Sequence, residues 1–219
     1  MKVLHLPTSV GGNSWGLAQV EKALGLDSKV LIDMNNLLGY EADYILFSQS
    51  DSKFYKLLKR FIAFLSIRNK YDVYHFNFVA TLLDFPKYNL YLIDLPYYKA
   101  KKVITYNGCD ARQKYPTIKR VDFSACHFKD CYNGLCNSGK QDEIRRKKIE
   151  KVSNYVDHIF ALNPDLMYFL PPNKTSFLPY TIAIWNKIKS EQFFIDKKII
   201  IVHATTNRVI KGTAFILEA

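Results

Sequence analysis

The sequence predicts an α/β fold with a mainly parallel β-sheet. Short runs rich in β-branched and aromatic residues alternate along the chain with longer amphipathic runs, which is the pattern of successive strand–helix units. Aromatic residues make up 15% of the chain, with 15 Tyr and 15 Phe, and this share favours substantial strand content. Hydrophobic residues at 48% and charged residues at 23% exclude a disordered, collagen-like or coiled-coil chain.

The elements follow one another in a regular order before residue 180. Strands are predicted at Met1–Leu6, Lys29–Met34, Asp72–Phe78, Lys102–Tyr106, His158–Leu162 and Lys174–Leu178. Helices are predicted at Ser14–Leu24 and Lys53–Ile67, where apolar residues share one side, and at Glu143–Tyr155, which is rich in charged residues. Pairs of turn-forming residues follow several strands, namely Gly11–Gly12, Asn107–Gly108 and Asn163–Pro164.

A change in composition after Asn186 divides the chain. Residues 1–186 form one predicted α/β domain, with a Cys-containing insertion near residues 109–140. Residues 187–198 are polar without a packing period and are predicted to be a linker. Residues 199–219 begin a second α/β unit, with a strand at Ile199–Val202, a polar loop and a helix from Thr213. One strand and about two helical turns cannot bury a core, so we expect a truncated second domain.

The chain is basic and indicates an anionic partner. Lys and Arg number 31 against 20 Asp and Glu, for a net charge of +11, which suits a phosphate-bearing ligand, a membrane surface or nucleic acid. The sequence contains no known nucleic-acid-binding module and no basic cluster with interleaved aromatics, so we expect no nucleic-acid partner. It also lacks an apolar run of the ~20 residues that a membrane span requires and the apolar core of a secretory signal. We therefore expect a cytoplasmic protein.

A glycine-bearing loop is the first candidate binding site. Gly11, Gly12 and Asn13 join the first strand to the first helix, where close backbone approach and free N–H groups favour an anion or a sugar hydroxyl. The G-x-G-x-x-G spacing of dinucleotide-binding proteins is absent, although Asp33 in the second strand keeps a nicotinamide-binding alternative open. The structural alternative is that the glycine pair forms only a tight turn.

A second candidate site lies near the C-terminus. Arg208 and Lys211 are three residues apart in a loop, and Gly212 opens the helix that follows. Two cations together with free helix N–H groups suit a diphosphate, whose oxygens need several donors. The alternative is a pair of solvated basic residues in a loop.

Several segments together resemble glycosyltransferase family 4, the retaining nucleotide-sugar transferases with two facing Rossmann-like domains in the GT-B fold. The matching segments, in order, are MKVLHLPTSVGGNSWGLA, DVYHFNF, ITYNGCDAR, HIFALNPDLMYFLPPNKTSFLPYTI and IIIVHATTNRVIKGTAFILEA. The resemblance covers essentially the whole chain but only the N-terminal half of a full enzyme. It implies that residues 1–186 are the Rossmann-like acceptor domain and that residue 199 begins the donor-binding domain. The family's downstream Glu-x7-Glu motif is absent, so we expect no transferase activity from these 219 residues alone.

The resemblance also implies site residues. Arg208 and Lys211 correspond to the Arg and Lys that contact the donor diphosphate, beside Gly212. Retaining transfer in such folds needs no metal or other cofactor for catalysis, because cations and helix dipoles stabilise the leaving diphosphate. The implied substrates are a nucleotide-sugar donor and a glycan or lipid-linked acceptor from envelope polysaccharide or glycolipid synthesis.

The cleft of the acceptor domain is the other implied site. Many family members have His-Gly-x-Asp where this chain has Asn-Gly-Cys-Asp, so Asn107 departs from the pattern while Asp110 keeps it. The catalytic base is not identified, and His75 and Asp110 are the candidates, although a lone strand histidine is more often structural. The residues expected at the cleft loops are Gly11, Gly12, Asn13, Asn107, Gly108 and Arg112.

The cysteines form a separate pattern. Cys126, Cys131 and Cys136 are evenly spaced, with Cys109 upstream, and thiols in a cytosolic chain favour metal binding over disulfides. The turn at Asn133–Gly134 brings the last two together, so the sequence predicts a structural zinc site with four thiolate ligands. The alternative is a set of reduced thiols in an insertion loop.

The helix over Lys53–Arg68 is amphipathic and basic. Its apolar residues share one broad face and its basic residues gather elsewhere, which suits a helix lying on an anionic bilayer and peripheral contact with the inner face of the membrane. The favoured alternative is a core-packed helix with a solvated basic face.

The sequence thus supports two functional hypotheses of different classes. The first is the acceptor domain of a nucleotide-sugar glycosyltransferase, with the start of its donor domain. The second is a non-catalytic Rossmann-like module that binds a sugar or phosphate, or one subunit of a two-chain transferase.

Overall fold

The structure is a computed structural model that describes residues 1–35, 39–180, 202–205, 207–208 and 210–218. The described residues divide into two compact units. The first unit contains Met1–Arg112 and the chain from Arg145 through the last strand. The second contains Gln113–Ile144 and the described C-terminal residues.

The first unit is built on a seven-stranded, wholly parallel sheet with the strand order β3-β2-β1-β4-β5-β6-β7. The order runs outward from β1 in both directions, as in doubly wound Rossmann-like folds, and confirms the predicted fold class. The strands are β1 Lys2–Leu6, β2 Asp27–Ile32, β3 Tyr44–Ile45, β4 Val73–Asn77, β5 Lys101–Tyr106, β6 His158–Ala161 and β7 Thr175–Phe177.

Five α-helices lie within the described residues: α1 Asn13–Ala23, α2 Lys53–Ile67, α3 Lys114–Arg120, α4 Lys140–Tyr155 and α5 Thr213–Glu218. Ser52 caps α2, because its side chain accepts a hydrogen bond from the Tyr55 N–H at 3.2 Å. Within the described residues, no helix is both long enough and apolar enough to cross a bilayer.

The first unit has two apolar cores, and successive residues of a strand alternate between the two faces of the sheet. The larger core includes Leu4 and Leu6 of β1, Tyr74 and Phe76 of β4, and Ile104 of β5, together with side chains of α2 and α4. The smaller core packs α1 against β2, and its buried residues are Ala18, Val30 and Ile32. The alternation follows from the two-residue period of a strand, and burial on both faces is typical of a parallel sheet.

The predicted strands and helices before residue 180 are confirmed, with boundaries that differ by up to three residues. Two elements were missed. The strand β3 has only two residues, and α3 contains Pro116 and lacks a repeating apolar pattern. The predicted helix from Thr213 is present as α5. The predicted linker 187–198 lies outside the described residues, as does the predicted strand at 199–202 except for Val202, which belongs to no strand.

Candidate functional site

The strand order places a crevice between β1 and β4. The chain from β1 continues to one side, toward β2 and β3, whereas β4 to β7 lie on the other side. In open α/β sheets, ligands bind outside the carboxyl ends of the strands where the order reverses in this way. The loop that follows β1 and the residues that end β4 and β5 therefore form the candidate binding site.

A row of polar side chains crosses this edge of the sheet, and we call it the amide ladder: Ser14, Asn77, Asn107 and Asn163. The Asn77 side chain donates to Ser14 Oγ at 2.9 Å, and Asn107 Nδ2 donates to Asn77 Oδ1 at 3.0 Å. Asn163 Nδ2 donates to the backbone carbonyl of Asn107 at 2.8 Å. The Thr8 hydroxyl ties the β1 loop to β4, since it donates to the Asn77 carbonyl at 3.1 Å.

One acceptor of the ladder is unused. The Asn107 side chain is only 7% exposed, and its Oδ1 atom accepts no hydrogen bond from any described residue. The amide nitrogen already donates to Asn77, so the orientation of the amide is determined by that bond. A buried acceptor without a partner costs about 1–3 kcal/mol, so this oxygen is available to a hydrogen-bond donor, either water or a ligand.

The predicted glycine loop lies beside the ladder. Gly11 and Gly12 have φ angles of +66° and +70°, a region that L side chains rarely adopt. A Cβ atom on Gly11 would lie 2.8 Å from the Tyr180 ring, and one on Gly12 would lie 3.2 Å from the Tyr40 ring. Gly12 is also the N-cap of α1, so no side chain caps the first N–H groups of that helix. Both glycines are therefore required by conformation and by contact with two tyrosine rings.

The turn after β5 is organised by Asp110. Its carboxylate accepts hydrogen bonds from the backbone N–H groups of Asn107 at 3.0 Å and Gly108 at 2.6 Å. Burial raises the pKa of Asp110, and these hydrogen bonds offset part of that rise. Arg112, two residues further on, donates from Nε to Asp165 Oδ2 at 2.8 Å and so connects the turns after β5 and β6.

His75 lies within β4 rather than at the edge. It is 5% exposed, its Nε2 atom pairs with the Thr105 hydroxyl at 2.6 Å, and its ring lies 4.8 Å from the ring of His5. Burial, and then the neighbouring His5, lower the pKa of His75 well below 6.5. These contacts indicate a structural histidine inside the sheet, two residues before the ladder residue Asn77.

His5, Glu21 and His75 form a group of potential metal ligands among the described residues, with donor atoms within 4.8 Å of one another. Hydrogen bonds already join them to their neighbours: His5 Nε2 pairs with Glu21 Oε2 at 2.7 Å, and Ser28 donates to the same oxygen at 2.6 Å. Burial raises the pKa of Glu21, but the hydrogen bonds and the charge of His5 outweigh it and lower the pKa overall. His5 and Glu21 therefore form a hydrogen-bonded pair, and the ring of His75 contacts His5.

The cysteines are divided between the two units. Cys109 belongs to the first unit, whereas Cys126, Cys131 and Cys136 belong to the second, and none of the four forms a disulfide. The predicted zinc site stays a prediction. Sequence reasoning missed Lys114, which is buried and donates to Asn137 Oδ1 at 2.7 Å and to the Phe128 carbonyl at 3.2 Å. Because a buried ammonium needs such acceptors, Lys114 holds the cysteine-bearing loop in place.

The predicted diphosphate-binding residues lie in one exposed turn of the second unit. Asn207 organises this turn, since its Oδ1 atom accepts a hydrogen bond from the Ile210 N–H at 3.0 Å. Arg208 and Lys211 are exposed, and Gly212 has a φ angle of +68° immediately before α5. Exposure of both cations is compatible with the binding role and with the solvated-loop alternative, so the assignment stays a prediction.

Most of the amide ladder was not predicted from the sequence. Asn107 was predicted as a site residue, whereas Ser14, Asn77 and Asn163 were not. A usable signal was present, because Asn77 is the last residue of β4, whereas Asn107 and Asn163 closely follow β5 and β6. Polar residues at the carboxyl ends of successive parallel strands converge at one edge of the sheet, whatever their separation along the chain.

Comparisons with known proteins add little to this geometry. No protein-family model and no curated protein matches the sequence. Among solved structures, the chain is similar to UDP-N-acetylglucosamine 2-epimerase from Rickettsia bellii, with a TM-score of 0.45 and 12% sequence identity. The match covers 83% of this chain and 45% of that chain, so the present sequence spans less than half the length of the epimerase structure. The fold class rests on the strand order described above.

Proposed function

We propose that this chain contains the acceptor-side Rossmann-like domain of a retaining glycosyltransferase that uses a nucleotide-sugar donor. The observation that carries the proposal is the amide ladder at the β1–β4 crevice, with the unused Oδ1 atom of Asn107. Sugars present several hydroxyl groups, each of which donates and accepts, and carboxamide side chains offer both functions at one position. The glycine loop lies beside the ladder, with the rings of Tyr180 and Tyr40 packed against its two glycines.

The nicotinamide-binding alternative is less well supported. In dinucleotide-binding folds, an acidic residue at the end of the second strand accepts hydrogen bonds from the ribose. Here Asp33 follows β2, but its Oδ2 atom is engaged by Arg60 at 2.5 Å. Its Oδ1 atom accepts no hydrogen bond from the described residues, so a dinucleotide belongs in any binding test as the competing ligand.

The proposed chemistry assigns the donor diphosphate to Arg208 and Lys211, next to Gly212, and requires no metal or other cofactor. Cations stabilise a leaving diphosphate because charge develops on its oxygens in the transition state. Of the two candidate bases, Asp110 lies at the carboxyl edge of the sheet, whereas His75 is buried within β4. The proposed acceptor is an envelope polysaccharide, glycan or glycolipid.

Titration calorimetry of the 219-residue chain tests the sugar site. The panel consists of methyl glycosides and disaccharides as acceptor mimics, UDP-sugars and GDP-sugars as donors, and NAD⁺ as the competing ligand. We expect a sugar to bind, and Asn107→Ala to weaken that binding by about tenfold or more, as expected for losing a buried hydrogen bond. Asn69→Ala, at an exposed position outside the ladder, is the matched control and should leave sugar binding unchanged. Binding of NAD⁺ alone would overturn the proposal.

A transfer assay distinguishes a glycosyltransferase from the second hypothesis. That hypothesis is a non-catalytic module that binds a sugar or phosphate, or one subunit of a two-chain transferase. Release of nucleoside diphosphate is followed with radiolabelled nucleotide sugar, with the chain alone and with added lysate fractions. We expect no turnover by the chain alone. In an active assembly, Arg208→Ala combined with Lys211→Ala should abolish turnover, and unchanged turnover would remove these residues from the donor site.

A further inference from the structure

Helix α2 exposes a broad face of large apolar side chains to solvent. Its buried residues are Ala63, Phe64 and Ile67, which pack on the sheet. The opposite side carries large apolar side chains, and Phe54 is 77% exposed and Phe61 47% exposed. At 100° per residue these side chains share one face, which we call the α2 apolar face: Phe54, Leu57, Leu58, Phe61, Ile62 and Leu65. Core packing of α2 involves Ala63, Phe64 and Ile67 and leaves the α2 apolar face in solvent.

The apolar surface continues beyond the helix. A groove of about 430 Å³ lies between α2 and the edge strand β3, and its lining includes Ile62, Tyr44 and Ile45. Both residues of β3 are about half exposed. A continuous exposed apolar surface of this kind is rare on monomeric soluble proteins and marks an interaction surface.

The basic residues around the α2 apolar face indicate which kind of partner it fits. The segment from Lys53 to Arg68 contains Lys53, Lys56, Lys59, Arg60 and Arg68 and no acidic residue. Lys59 and Lys70 also line the groove. A second copy of the chain would bring like charges together, whereas an anionic lipid headgroup layer complements them and accepts the apolar side chains below it.

The helix is held in place before any partner arrives. Ser52 caps its first turn, and Arg60 pairs with Asp33 at the end of β2. Lys56 donates to the Gln49 carbonyl at 2.9 Å. Because α2 is already folded and anchored, docking requires little ordering of the chain, and the cost of binding is correspondingly small.

We propose that α2 is a membrane-docking helix that lies in the plane of an anionic bilayer surface. The α2 apolar face enters the boundary between headgroups and acyl chains, and Lys53 and Lys59 contact lipid phosphates. Docking of this kind needs no membrane-spanning segment. The inference rests on a surface of its own and does not depend on the proposed function.

Flotation of the 219-residue chain with lipid vesicles tests the inference. Vesicles of phosphatidylglycerol and phosphatidylcholine should carry the protein, vesicles of phosphatidylcholine alone should not, and added salt should weaken binding because it screens the charges. Phe54→Ser combined with Phe61→Ser should reduce the bound fraction at least tenfold. The matched control is Leu24→Ser combined with Tyr97→Ser, which removes exposed apolar groups outside α2 and should leave binding unchanged.

A charge-matched pair completes the test. Lys53→Gln with Lys59→Gln should weaken vesicle binding about 30-fold, since each basic residue at an anionic surface contributes about 1 kcal/mol. Lys99→Gln with Lys119→Gln makes the same change of net charge at exposed positions outside α2 and should have a small effect. Failure of the chain to bind anionic vesicles would overturn the inference. Sedimentation velocity showing a dimer that Phe54→Ser and Phe61→Ser dissociate would also overturn it, in favour of a second copy.

Discussion

Asn107 and Asn77 stand at the ends of neighbouring strands, and the side-chain amide of Asn107 donates to the side-chain oxygen of Asn77 at 3.0 Å. This bond uses the nitrogen of Asn107 and leaves its buried oxygen without a partner among the described residues. A single hydrogen bond between two strands thereby sets which atom of the amide is left for a ligand.

Removal of Asn77 should destabilise the fold. Asn77→Ala takes the acceptor away from Asn107 and the donor away from Ser14, both in a buried setting. We expect the free energy of unfolding to fall by about 1–3 kcal/mol, measured by urea denaturation. Asn69→Ala, at an exposed position, should change it by less than about 0.5 kcal/mol. Equal effects of the two variants would show that the ladder contributes no stability.

Gly11 should tolerate alanine less well than Gly39. Both have similar φ angles, +66° and +63°, but a Cβ on Gly39 meets nothing within 4 Å, whereas one on Gly11 meets the Tyr180 ring at 2.8 Å. Gly39→Ala should cost about 1–2 kcal/mol from backbone conformation alone, and Gly11→Ala should cost more. Thermal denaturation measures both. Adding Tyr180→Ala to Gly11→Ala should remove the excess, and an excess that persists would contradict the contact.

The pH dependence of stability should report on His75. Its pKa is lowered well below 6.5 in the folded protein, so the unfolded chain binds a proton near pH 6.5 that the folded chain does not. The free energy of unfolding should therefore decrease as the pH falls from 7 to 5, with a contribution of at most about 1.4 kcal/mol per pH unit from this group. His75→Gln should flatten the slope, as followed by denaturation at several pH values. Asn69→Gln, at an exposed position with no titratable group, should leave the slope as it is.

Elemental analysis should detect about one zinc per chain if the cysteines bind metal. Cys131→Ser should then abolish the zinc content, because loss of one of the four thiolates greatly weakens zinc binding at a tetrahedral site. His5→Gln provides the control, since it disrupts the other group of potential ligands, His5, Glu21 and His75. Only trace metal in the purified protein would contradict the zinc prediction. If His5→Gln lost the metal and Cys131→Ser kept it, the metal would be bound by His5, Glu21 and His75 and not by the cysteines.

Local patterns were sufficient to predict most strands and helices. The bounds of α2 agree with the prediction because its apolar period is strong and Ser52 caps its start. The strand β3 was missed because two residues carry no period, and its pairing with β2 is a tertiary contact. For α2, the sequence left open which side lies in solvent. An amphipathic pattern shows that two faces exist, but the neighbouring elements decide which of them is buried.

The sequence by itself determined the α/β class, the order of the elements, the glycine loop and the basic, amphipathic character of α2. Only the tertiary structure decided that β1 lies beside β4, that Thr8 bonds to Asn77 across 69 positions of the chain, and that His75 pairs with Thr105 of β5. The physical reason is that each strand and helix depends on its own residues, whereas a site at a sheet edge depends on pairing between distant strands. That pairing is stabilised by burial and hydrogen bonds that exist only once the whole sheet has formed.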